Sequence, residues 1–157
     1  MPLKDQLSND LKDAMRAGDG LRRDVLRSIL TAVSNAEIAR VNIKDASSER
    51  TSLSDEGVVD VLQKQAKQRR DSMDEYTKAG RQDLADREGA ELAVITGYLP
   101  EQLSRDEIAK LVQAVITETG ASGPGDKGKV MPAAMQRLKG RADGRAINEV
   151  VTELLAR

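Results

Sequence analysis

The chain contains no cysteine, no histidine, no phenylalanine and no tryptophan. The first two absences exclude disulfides, the usual zinc centres, thiolate nucleophiles and imidazole bases together. A Ser-His-Asp triad is excluded with them. The lack of cysteine also fits a reducing compartment. Tyr76 and Tyr98 are the only aromatic residues. The interior must therefore be filled by Leu, Val, Ile, Met and Ala, which suit helix-on-helix packing better than stacked sheets. No apolar run reaches the length of a membrane span, and the start MPLKDQL has no signal-peptide core. From these features a cytoplasmic protein without a membrane partner is expected.

What is present is charge and helical periodicity. Of 157 residues, 39% are hydrophobic and 32% charged, with 25 basic residues against 26 acidic ones. Leu3, Leu7, Leu11 and Ala14/Met15 step by three or four up to Gly18. Asp19 is placed to cap a second helix with Leu21, Val25, Ile29, Val33 and Ala36 on one face. Residues 42–54 are polar and read as a loop. Ser54 then suits an N-cap, with Asp55 and Glu56 in the first turn where carboxylates favour the helix dipole. Val58, Val61, Leu62, Ala66, Met73 and Tyr76 continue that helix to Ala79-Gly80. A fourth helix carries Leu84, Leu92, Ile95 and Leu99, with Pro100 as its stop.

Ser104-Arg-Asp-Glu107 has the form of a capping box before a stripe of Ile108, Leu111, Val112, Val115 and Ile116. After the turn GASGPG, Asp126 is expected to cap a short helix with Val130, Met131, Ala134, Met135 and Leu138 inward. Gly140 to Asp143 is the next turn, and Ile147, Val150, Val151, Leu154 and Leu155 form the last stripe. The expected fold is all-α. Long antiparallel helices occupy a domain at 1–99, and three short helices form a second domain at 100–157.

One motif misleads. Gly123 to Lys129 matches the spacing G-x-x-x-x-G-K of a phosphate-binding loop. Val130 stands where a magnesium-holding hydroxyl belongs, and the preceding residues have helical spacing. The bland reading is a Gly-rich turn into a helix start, which still offers free N–H groups to an anion.

Lys127, Lys129, Arg137, Lys139, Arg141 and Arg145 lie around only two local acids, Asp126 and Asp143. Such a cluster attracts phosphate. Its ordinary alternative is a solvated face. With both tyrosines outside the cluster, contacts to nucleic acid would be of the phosphate type, without a stacking platform. Lys64, Lys67 and Arg70 form a second basic patch, where Asp60, Asp71 and Asp74 offer local pairing. The carboxylates Asp83, Asp86, Glu88 and Glu91 read as surface charge. No catalytic residue, metal site or cofactor site is expected.

Several longer runs carry a resemblance: Gln63 to Ser72 (QKQAKQRRDS), Tyr76 to Ala85 (YTKAGRQDLA), Tyr98 to Leu103 (YLPEQL), Gly128 to Met131 (GKVM) and Lys139 to Gly144 (KGRADG). Over essentially its whole length the chain resembles the small bacterial YqeY-like proteins of the GatB/YqeY domain family. In that family the C-terminal part is similar to the tail of the B subunit of the glutamine-dependent aminoacyl-tRNA amidotransferase, a helical appendage that helps engage tRNA. The resemblance implies an all-helical fold in two parts and a bacterial, cytoplasmic setting. It also implies a link to carbon–nitrogen ligase chemistry with glutamine as amido donor, alone or with an amidotransferase or other protein partner. The amidotransferase's kinase-like cradle and its amidase site have no counterpart in this chain. The matched part is the non-catalytic tail, so the resemblance points to tRNA contact by Lys129, Lys139, Arg141 and Arg145. The alternative is a protein-interaction module without nucleic-acid binding, docking through the helix at residues 55–79.

Overall fold

A computed structural model describes residues 1–43 and 52–157, without the side chains of Asn42 and Ile43. Among the described residues there are seven α-helices, one short 3-10 turn and no strand. The fold is all-α. The chain divides into two compact units, Met1–Leu99 and Pro100–Arg157.

The first unit holds α1 (Leu3–Ala17), α2 (Gly20–Ile43), α3 (Asp55–Lys78) and α4 (Gln82–Thr96). Its helix ends follow local chemistry. The Asp19 carboxylate accepts the backbone N–H of Arg22 at 3.0 Å, and the Ser54 hydroxyl accepts that of Gly57 at 3.2 Å. At the end of α3, Arg81 N–H donates to the Tyr76 carbonyl and Gly80 N–H to the Thr77 carbonyl. This pair closes a Schellman turn, and it requires the positive φ of 72° that Gly80 adopts. Leu7, Val25, Leu26, Ile29, Val33, Val58, Leu62 and Ile95 form the core. Of the Ala14/Met15 position, Ala14 is the residue buried in that core; Leu21, expected on the face of Val25, is exposed, and Leu26 takes the inward place beside Val25. The expected loop at 42–54 lies outside the described residues over 44–51, and α2 continues to Ile43. The fourth helix stops at Thr96, short of Pro100.

Side chains tie this unit together over long stretches of sequence. Lys4 pairs with Glu37 at 2.8 Å, and Glu37 also accepts the backbone N–H of Leu53 at 3.0 Å. Asp10 accepts the Tyr98 hydroxyl, and Arg22 donates to that hydroxyl at 2.9 Å. Burial and the Asp10 carboxylate push the Tyr98 hydroxyl up to about 12.

The second unit holds α5 (Arg105–Thr119), the 3-10 turn Pro124–Asp126, α6 (Lys127–Arg137) and α7 (Gly144–Leu155). The capping box is present: Glu107 N–H donates to the Ser104 hydroxyl at 3.2 Å, and Ser104 N–H to the Glu107 carboxylate at 2.8 Å. Ile108, Val112, Val115, Val130, Ala134, Leu138, Ile147, Val150 and Val151 form a separate core. Met135, expected inward, is exposed. The end of α6 is completed by Leu138, which is fully buried.

Candidate nucleic-acid interface

The α6–α7 turn is held by the chain ahead of α5. Leu103 N–H donates to the Arg141 carbonyl at 2.8 Å, and the Gln102 side-chain amide donates to the Gly140 carbonyl at 2.8 Å. Gly140 has φ 81°, a conformation in which an L side chain is strained. Leu138 and Ala142 anchor the turn from below. Lys139, Arg141 and Arg145 are exposed around this fixed backbone. The turn is short and tethered, so these cations hold defined places without any regular element between the two helices.

The starts of α6 and α7 share a feature with that of α2, which opens Gly20-Leu-Arg-Arg23 with no acid in its first turn. The unpaired N–H groups of a helix start make its end positive, so acids are stabilising there and cations are not. The helices α3 and α5 obey this, with Asp55 and Glu56, and Asp106 and Glu107, in their first turns. By contrast, α6 begins with Lys127 and Lys129, α7 with Arg145, and neither has an acid in its first turn. Asp126 and Asp143 stand at the two N-cap positions, yet neither side chain makes a capping hydrogen bond. The Asp126 carboxylate turns back to accept the Ser122 backbone N–H at 2.9 Å, which holds it below the usual carboxylate range, helped by Lys129 at 3.6 Å. Asp126 therefore does not cap as expected: the Ser122 bond takes its carboxylate.

The cluster also has neighbours that local sequence does not reveal. Arg137 forms a two-pronged pair with Glu118 on α5, at 3.1 and 2.6 Å. The pair holds the Glu118 carboxyl low and raises the Arg137 guanidinium. Glu107 is held low first by the Ser104 backbone and hydroxyl, and further by the nearby charges of Arg141 and Lys110. Glu107 and Glu118 fall on one face of α5, about three turns or ~16 Å apart. The acids near Arg137 and Arg141 thus come from a different helix.

The second basic patch lies on α3 in the first unit. Lys64 and Lys67 are exposed, and Arg70 is half-buried. Lys67 pairs with Asp71 at 2.8 Å, one turn along the same helix. Nearby, Arg69 is drawn to Glu91 on α4 at 3.4 Å and donates to the Gln65 side-chain amide oxygen at 2.6 Å. Arg87 reaches Glu91 from the other side at 3.9 Å. Glu91 is thereby a structural partner between two arginines, a role its spacing in the sequence did not reveal.

The phosphate-loop spacing at Gly123–Lys129 follows helix α5, and Val130 is fully buried in the core. Both features belong to a helix start, not to a strand-borne nucleotide loop. Among the described residues, no group of three or more acids is arranged to hold a metal ion. No helix among the described residues is long and apolar enough to cross a membrane.

Several relatives carry the name "Altered inheritance of mitochondria protein 41, mitochondrial". The chain is 36% identical to that of Lachancea thermotolerans over 120 residues, 75% of this chain and 60% of the relative. It is 34% identical to that of Kluyveromyces lactis over 121 residues, with the same shares. It is 30% identical to that of Pyrenophora tritici-repentis over 153 residues, 96% of this chain and 79% of the relative. The chain thus spans about 60% of the length of the first two. These fungal proteins with mitochondrial names overturn the expectation of a bacterial, cytoplasmic protein. That expectation rested on composition and on the bacterial proteins that the motifs resemble, and neither carries an address. The family described as Yqey-like protein matches residues 4–155, and with this match the chain belongs to the YqeY family.

Proposed function

We propose that this protein is a tRNA-binding accessory module whose C-terminal unit engages phosphates without performing chemistry. The observation that carries this reading is the pair of helix starts in the second unit. Lys127 and Lys129 at α6, and Arg145 at α7, add side-chain charge to two ends that are already positive. Asp126 pairs with Lys129 at one of these ends and Asp143 stands at the other, and an anionic ligand is the natural complement of the cations around them. Lys139 and Arg141, exposed on the tethered turn between the two helices, extend the same field. Recognition would be by charge and shape, since neither Tyr76 nor Tyr98 belongs to this unit. The similarity of the family's C-terminal part to the amidotransferase tail supports tRNA as the RNA concerned. The amidation link would then lie in delivering or holding tRNA for a partner enzyme.

The test is equilibrium binding of tRNA to the full chain across a salt series. Replacing Arg141 and Arg145 by Ala should weaken binding about tenfold at low salt. It should also flatten the salt slope by roughly 0.7 to 0.9 for each lost phosphate contact. Equal affinity and slope in parent and variant would remove these two residues from the interface. Incubation with Glu-tRNA(Gln), ATP and glutamine adds a second arm. Product formed by the chain alone would overturn the non-catalytic reading.

A further inference from the structure

The Arg137–Glu118 pair has the geometry of an occupied anion receptor. The two terminal guanidinium nitrogens, Nη1 and Nη2, face one carboxylate, at 3.1 and 2.6 Å, the fork arrangement that also fits a phosphate. Both partners are open to water, with the Arg137 side chain 41% and that of Glu118 58% exposed. Water and salt screen an exposed pair, and its two-pronged geometry places it at the strong end of that modest range. Glu118 also lies one face along α5 from Glu107, which sits near Arg141. The two acids differ in one respect. Glu107 is committed to the capping box, whereas the bonds of Glu118 go to Arg137.

We infer that Glu118 is an internal competitor for the RNA phosphate, occupying the Arg137 fork in the free protein and yielding it on binding. The inference rests on the phosphate-binding reading above and deepens it: it names one arginine whose availability is set by a carboxylate on another helix. Glu118 acts as a positioning residue, through Arg137. It holds the guanidinium ready in a two-pronged pose and sets how much affinity the fork contributes.

The experiment uses the full chain and bulk deacylated tRNA, with Glu118→Gln, Arg137→Ala and the double variant. Gln keeps the size of the side chain and removes its charge. Glu118→Gln should tighten binding about two- to fivefold at low salt, the range an exposed ion pair would cover. Because the freed fork makes a fuller phosphate contact, the salt slope should steepen by up to ~0.9. The gain should vanish when Arg137→Ala is also present. Thermal unfolding of each variant reports any structural loss, which would not by itself steepen a salt slope. Unchanged binding by Glu118→Gln, or a gain that survives Arg137→Ala, overturns this inference and leaves the wider reading intact. No tRNA binding by parent or variant overturns both.

Discussion

The two basic patches differ in where their acids come from. On α3, Lys67 is answered by Asp71 one turn away, while its neighbour Arg69 reaches across to Glu91 on α4. In the second unit, Arg137 is answered by Glu118, nineteen residues back on another helix, and Glu107 of that same helix feels Arg141. The Lys67–Asp71 pair belongs to the i,i+4 lattice that solvates many helix surfaces. The Arg137–Glu118 pair needs a tertiary fold to exist. A cluster that looks bare along the chain can thus have its neutralising charges supplied in space, while a locally paired cluster stays paired. The second unit has two helix starts with cations and no first-turn acid, α6 and α7, where the first unit has one, α2 with Arg22 and Arg23.

The sharpest way to break this comparison is to remove the floor under the α6–α7 turn. Leu138 is fully buried at the end of α6, two residues before Gly140. Leu138→Ala should cost about 2–5 kcal/mol, read by chemical unfolding. It should weaken tRNA binding although no charge is lost. Intact binding would mean that the turn's geometry is irrelevant to the cations on it. A matched pair of neutralisations sharpens the contrast next. Lys64→Ala with Lys67→Ala should change tRNA affinity less than about twofold, because local acids already screen that patch. The Arg141/Arg145 variant should lose far more. Equal losses would make α3 part of the interface.

The helix caps compare the units at a smaller scale. Ser104→Ala removes one half of a reciprocal box, and Ser54→Ala removes a single bond. Each should cost about 1 kcal/mol, with Ser104 the larger. Thermal melts of the two variants measure the order, and the reverse order would show that the reciprocal bond adds nothing.

The smallest effect concerns the first unit and alkaline pH. The Tyr98 hydroxyl is raised from 10.0 to about 12, first by burial and then by its bond to Asp10. The folded state therefore holds this proton more tightly than the unfolded chain. Its stabilising contribution is complete below pH 10 and disappears as pH rises from 10 to about 12. Tyr98→Phe removes that component. The stability difference between parent and variant should shrink across this window, measured by denaturant midpoints at each pH. A constant difference would show that the proton is not linked to folding.

These contrasts also explain what could be read from the chain itself. Helix class, the Ser54 and Ser104 caps and the Gly80 stop were legible because each depends on residues within one turn of one another. Leu21 and Met135 fall on the expected stripes yet are exposed, because a stripe edge looks the same whether or not a neighbouring helix covers it. Asp126 was expected to cap, and Ser122 took its carboxylate instead. In the candidate interface, the identity of the cations and their Gly-containing turn were visible. The Glu118 partner and the tether from Gln102 and Leu103 were not, since both depend on packing between distant segments. The cellular setting was misjudged for a different reason: nothing in periodicity or charge encodes it.

Ultraviolet crosslinking of the full chain to tRNA, followed by mass mapping of the modified peptides, addresses the central claim most directly. The account expects crosslinks concentrated between Lys127 and Arg145 and depleted when Arg141 and Arg145 are replaced by Ala. Crosslinks confined to α3, or a map unaltered by that replacement, would contradict it.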